Sequence, residues 1–212
     1  MLSVRFSSLA VAVVVGSIVA SLGVEVTAQS DREKREREEA IRRLTSSVSL
    51  DADAKARIEA ALPAKALVPA SKPRRLLIYD VNVGYPGHPS RFHANFAFQR
   101  MGEKTGAFET VVSRDPELFR PETLRQFDAV FLNNTVGNLF EDEDLRQSLL
   151  EFVCGGGGLM GTHGTTVAFT KWPGAHEDWP EFGIMLGGRG ARHREFDERV
   201  FTKIDSPSHP LN

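Results

Sequence analysis

An α/β fold built on a parallel sheet is what this sequence predicts, and three observations predict it. Short apolar runs near 76–79, 108–112, 128–132 and 159–162 alternate with segments of helical character. Alternation of this kind marks strands joined by crossover helices. Apart from 108–112, which carries Glu109 and Thr110, the runs are mostly apolar, as expected of strands covered on both faces. The third observation is Gly161-Thr162-His163-Gly164, a sharp glycine-flanked turn directly after the last of these runs. Such a turn projects a side chain from the carboxyl end of a strand, where open α/β sheets place their ligand chemistry.

The chain opens on a segment outside the fold. Arg5 supplies a positive start, Leu9 to Leu22 is almost wholly apolar, and Val26-Thr27-Ala28 offers small residues for cleavage before Gln29. Residues 1–28 read as a signal peptide. The apolar run is shorter than the roughly 20 residues of a spanning helix. The mature protein is therefore expected to be exported, periplasmic or secreted, without stable membrane insertion. Residues 29–73 read as a charged helical extension followed by a linker. Asp31/Arg35, Glu33/Arg37, Glu38/Arg42 and Glu39/Arg43 are acid-before-base pairs at helical spacing, the pattern of a solvated helix. Balanced signs here, and a net charge of −2 overall, argue against nucleic acid as a partner. Asp51 to Leu62 reads as a short helix stopped by Pro63, and prolines 63, 69 and 73 mark the linker.

The compact domain is expected over 74–212; with 41% hydrophobic residues the chain can bury one core. Leu76 to Tyr79 is the first strand, followed by a Gly/Pro loop from Val83 to Pro89. Ser90 can cap a helix whose apolar positions include Phe92, Phe96, Ala97 and Met101. Phe108 to Val112 is the second strand, and Asp128 to Leu132 the third, ending in Asn133-Asn134-Thr135. Glu141 to Val153 is an amphipathic helix presenting Leu145, Leu149, Phe152 and Val153, with Gly155 as a left-handed cap. Leu159 to Thr162 is the fourth strand and Arg199 to Ile204 a later one.

Several features invite chemistry. Gly156, Gly158 and Gly161 satisfy G-x-G-x-x-G, but they follow a helix and open a strand, the reverse of a phosphate-binding turn. Cys154 is the only cysteine, which excludes an intrachain disulfide. At a helix carboxyl end its thiolate is disfavoured, so it reads as an inert, partly buried thiol. The turn that carries Ser or Cys in hydrolases and amidotransferases carries His163 here. An imidazole can bind a metal, move a proton or hydrogen-bond a sugar, but it is not the usual acyl-transfer nucleophile. His88, in the loop after the first strand, leaves the same sheet edge and can converge with His163. His193 follows the Gly-rich stretch Gly187-Gly188-Arg189-Gly190. Together the three histidines are candidate ligands for a divalent metal such as zinc, although their spacing matches no short metal motif. Trp172 and Trp179 are core residues or an aromatic platform for a sugar ring. His93, His176 and His209 carry no clear signal.

From about Arg74 onward the chain resembles the ThuA-like (trehalose utilisation) family. The residues that carry the resemblance are LLIYDVNVGYPGH, FDAVFLNNTVGNLF, FVCGGGGLMGTHGTT and WPEFGIMLGGRGARH, in that order. Two departures stand out: the His88 loop is one residue longer, and Gly164-Thr165-Thr166-Val167 lacks the family's acid after the second histidine. The resemblance implies a three-layer flavodoxin-like or class I glutamine amidotransferase-like sheet without the nucleophile. The family continues past the His-Pro seen here as His209-Pro210, which implies a C-terminally truncated domain. It also implies carbohydrate metabolism, with a disaccharide or oxidised sugar as the ligand class. In that setting His163 is a general base or metal ligand, His88 and His193 are co-ligands or sugar contacts, and Asn134 and Trp179 are substrate contacts. A non-catalytic sugar-binding module and an inactive fragment stay open beside an enzyme, and the sequence specifies no oligomeric state.

Overall fold

The computed structural model describes residues 50–85, 87–171, 177–190, 199 and 201–209. The signal segment, the charged run at 31–44, Trp172, His176 and His193 lie outside the described residues. Among the described residues no helix is long and apolar enough to cross a membrane.

Helix α1 (Ala52–Ala61) begins after Asp51, whose carboxylate accepts the Ala54 amide proton (2.6 Å), and it ends before Pro63. Pro63 to Pro73 contains no helix or strand. There follow β1 (Arg75–Tyr79), α2 (Ser90–Thr105), β2 (Glu109–Ser113), a 3-10 turn (Pro116–Phe119) and the short α3 (Pro121–Leu124). Then come β3 (Ala129–Asn133), α4 (Glu143–Cys154), β4 (Gly158–Thr162), a second 3-10 turn (His163–Val167) and α5 (Pro180–Leu186). The strands form one parallel sheet in the order β2-β1-β3-β4. This order reverses direction between β1 and β3, and the crevice above such a reversal is where open α/β sheets bind ligands.

Side chains alternate across the sheet and fill two cores. Leu77, Tyr79, Val130 and Leu132 face a large cluster with Leu145, Leu149, Phe119, Phe140, Phe169 and Phe182. Leu76, Ile78 and Phe131 face a smaller one completed by Ala94 and Phe98 of α2. The larger core is tied by edge-on aromatic contacts, including Tyr79–Phe119 (4.9 Å) and Phe140–Phe169 (5.1 Å). A buried Phe contributes on the order of 2–3 kcal/mol by removal of its surface from water.

Four expectations need correction. Ser90 lies inside α2 and makes no cap; Pro89 takes the cap position with no side-chain bond. The sheet-facing stripe of α2 is Arg91, Ala94, Asn95, Phe98 and Gly102 rather than the apolar set Phe92, Phe96, Ala97 and Met101. Its polar members are recruited by a buried network described below. After α4 the left-handed residue is Gly156 (φ +95°), with Gly155 at −77°. The described residues of 199–204 are not in a strand, and Phe201 and Ile204 are exposed.

Candidate functional site

Each strand ends, at the carboxyl edge of the sheet, on a polar residue, and these residues meet. Asp80 follows β1, Arg114 follows β2, Asn133 and Asn134 close β3, and Thr162 and His163 close β4. Asp80 is 1% exposed and Asn133 fully buried, so their polar groups must be satisfied inside the protein. Arg114 Nε donates to Asp80 Oδ1 (2.5 Å), and its Nη2 donates to Oδ2 (3.0 Å). Asn95 Nδ2, from α2, donates to Asp80 Oδ2 (2.8 Å). Asn133 Nδ2 donates to Asn95 Oδ1 (2.8 Å) and to the Arg91 carbonyl (2.7 Å). Asn133 Oδ1 accepts from Asn134 Nδ2 (3.0 Å) and from Thr162 Oγ1 (3.2 Å). Asn134 Oδ1 lies 3.0 Å from His163 Nδ1. A bidentate Arg–Asp pair thus stands at one end of a hydrogen-bonded chain, and an exposed imidazole at the other.

Local backbone geometry delivers that imidazole. Asn134 and His163 both hold positive φ, +54° and +48°. Both residue types visit this region more readily than most, though less freely than glycine, so the surrounding structure must hold the turn. Thr165 does part of the holding: fully buried, its hydroxyl donates to the Leu132 carbonyl (2.7 Å) and accepts from Thr135 Oγ1 (3.1 Å). Gly164 permits the close passage, because a Cβ there would stand 2.8 Å from Val136 Cγ2.

The loop after β1 is pinned against the loop after β3. Val83 N donates to the Val136 carbonyl (2.8 Å), and Asn82 bridges to Val136. Gly137 (φ +84°) leaves room for this contact, since a Cβ would fall 2.3 Å from the Val83 carbonyl oxygen. His88, carried by the same loop, meets His163 edge-on with ring centroids 4.5 Å apart. Tyr85 Oη lies 3.3 Å from His88 Nε2. His88 and His163 therefore share one face of the sheet edge.

The buried end of the network holds two guanidinium groups and one carboxylate. Arg91 and Arg114 are both buried beside the carboxylate of Asp80. Burial, reinforced by the neighbouring Arg114 charge, pushes the Arg91 guanidinium below its ordinary value.

Other expected site residues fall elsewhere or beyond view. Trp179 caps α5 and packs on Phe169 (5.1 Å) and Phe182 (5.8 Å), so its ring belongs to the large core. Cys154 is exposed, not partly buried, because it sits at the outer end of α4. His193 lies outside the described residues. Catalytic zinc sites take three protein ligands. Among the described residues no three His, Cys, Asp or Glu side chains are grouped to hold a metal, and His193, the third candidate ligand, lies outside them. Asp80, Asn95, Arg114 and Asn133 were not singled out from the sequence. Their signal was a polar residue at the first position after an apolar strand, and a polar break in the sheet-facing stripe of α2.

Three comparisons bear on this chain. No curated protein matches it. A crystal structure of a ThuA-like protein from Bacteroides uniformis ATCC 8492 is similar at 19% identity and a TM-score of 0.41, the match covering 60% of this chain and 48% of that one. The chain thus spans about half the length of that protein. The sequence profile described as ThuA, trehalose utilisation, matches residues 75–212, which include every strand of the sheet, His88 and His163. On that match the chain belongs to the ThuA family of trehalose-utilisation proteins.

Proposed function

We propose that this chain is an exported protein that binds a disaccharide or oxidised sugar at the cleft of His88 and His163. The observation that carries the reading is the imidazole pair, 4.5 Å apart at the carboxyl edge of the sheet, with one member anchored to Asn134. Sugar hydroxyls donate and accept hydrogen bonds, and neutral imidazole does both. His163 is the group that takes or returns a proton at a sugar hydroxyl, and His88, next to Tyr85, holds a neighbouring one. Asn134 supports this from below: its amide is engaged with Asn133 and His163, so it orients the base and leaves the ligand to the rings.

Export rests on the signal-like pattern of residues 1–28, with the mature chain starting near Gln29. Mass spectrometry of the protein recovered outside the cytoplasm tests it; an intact Met1 contradicts it. For the cleft, the test is the histidine ring resonances of the mature protein, followed while trehalose or a keto derivative is added. Selective perturbation of His88 and His163 supports the reading, and an unchanged spectrum at saturating sugar rejects it. Binding without chemical change of either sugar would assign a binding module rather than an enzyme.

A further inference from the structure

We infer that Asn134 is a positioning residue that holds His163 as the Nδ1–H tautomer and so presents an unprotonated Nε2 to the cleft. The polarity of the buried chain is fixed from its Asp80 end. An ionised Asp80, paired with Arg114, can only accept hydrogen bonds, so Asn95 must turn its NH2 toward it. Asn95 then offers Oδ1 to Asn133, which must present its own NH2. The Arg91 carbonyl, also a pure acceptor, independently requires the same orientation of Asn133. Asn133 Oδ1 is thereby aimed at Asn134, which answers with its NH2. The one group left facing His163 is the Asn134 carbonyl oxygen, 3.0 Å from Nδ1. A carbonyl oxygen carries no proton, so Nδ1 must supply it, and in the neutral ring the lone pair resides on Nε2.

Every amide in the chain donates toward Asp80, and reversing any one of them would set two donors or two acceptors against each other in a buried site. His163 itself is exposed, and Nε2 engages none of the described residues. Water favours the opposite tautomer for a free histidine side chain, so the held state is diagnostic of the protein's influence. A fixed tautomer is also what a proton acceptor at a sugar hydroxyl requires. This inference rests on the reading of His163 as the ligand-facing base, but its test needs no ligand.

The experiment is two-bond 15N–1H correlation spectroscopy of the full mature chain labelled in histidine nitrogens, recorded at about pH 9, where ordinary imidazoles are neutral. His163→Gln assigns the signal. Wild type is expected to show Nδ1 protonated and Nε2 bare. Asn134→Gly removes the acceptor without backbone strain at φ +54°, and the ring should relax to the Nε2–H tautomer. Asn134→Asp keeps an acceptor toward Nδ1 and should keep Nδ1–H, at a cost in stability because its second oxygen faces Asn133 Oδ1 with no proton between them. An Nε2–H ring in wild type overturns the inference, as does a ring whose tautomer is the same in Asn134→Gly as in wild type. Either result leaves sugar binding, measured separately, untouched; conversely, a held tautomer in a protein that ignores sugars would retain the positioning role and remove the ligand.

Discussion

At φ +48° His163 occupies a backbone region that costs a non-glycine residue of order 1–3 kcal/mol. A side chain kept there at such a cost is maintained for what it touches, not for packing, since it is exposed. His163→Gly, which occupies the left-handed region freely, should therefore raise stability by up to about 1 kcal/mol in urea titration while eliminating sugar binding. Lower stability in this variant would show that the turn is unstrained. Cys154 is exposed at the far end of α4 and outside the network, so Cys154→Ser should change stability by less than about 0.5 kcal/mol and leave sugar affinity intact. His88 and His163 were readable from the sequence because each stands in a glycine-rich loop directly after an apolar run. Asp80 and Arg114 were not, because a charged residue beside a strand end looks the same whether it meets solvent or a buried partner. Only the register of β1 against β2, which sets Tyr79 opposite Ser113, brings them together.

The strands themselves were legible because their apolar runs are short and bounded by turn residues. The buried face of α2 was not, since two of its sheet-facing positions are the polar Arg91 and Asn95, and hydrophobic periodicity points to the wrong side. At the opposite edge of the sheet, Asp128 ties the start of β1 to the segment entering β3. Its carboxylate accepts from the Arg75 amide (2.9 Å) and from Arg74 Nη1 (2.8 Å), with Lys72 3.1 Å away. The Arg75 amide first, then Arg74 and Lys72, hold its pKa down to about 2. A carboxylate depressed in the folded state binds fewer protons there than in the unfolded chain. Its contribution is therefore complete above the ordinary value of about 3.9 and is lost as pH falls toward about 2. Asp128→Asn should cost about 1 kcal/mol near neutrality and flatten the acid limb of stability between those two values. An acid limb identical in wild type and variant would exclude this carboxylate as its source. Gly164→Ala, at the turn between β4 and the site, forces Val136 aside and should cost roughly 1–3 kcal/mol in urea titration.

Across the whole molecule, a parallel sheet gathers one polar strand end from each of its members, and the buried pair Asp80–Arg114 is the hub. Asp80→Asn would leave Arg91 and Arg114 buried without their carboxylate, a change expected to cost about 3–5 kcal/mol by chemical denaturation. A loss below 1 kcal/mol would mean the pair is not the hub. We propose that this architecture serves the pair of half-buried His88 and exposed His163, and that the pair binds a sugar. The most direct measurement is calorimetric titration of trehalose and a keto derivative into the mature chain and into His88→Gln and His163→Gln, with circular dichroism confirming the fold of each. The account predicts saturable binding of at least one sugar to wild type, weakened tenfold or more, about 1.4 kcal/mol, in each variant. Equal affinity in all three proteins, or no binding to wild type, would contradict it.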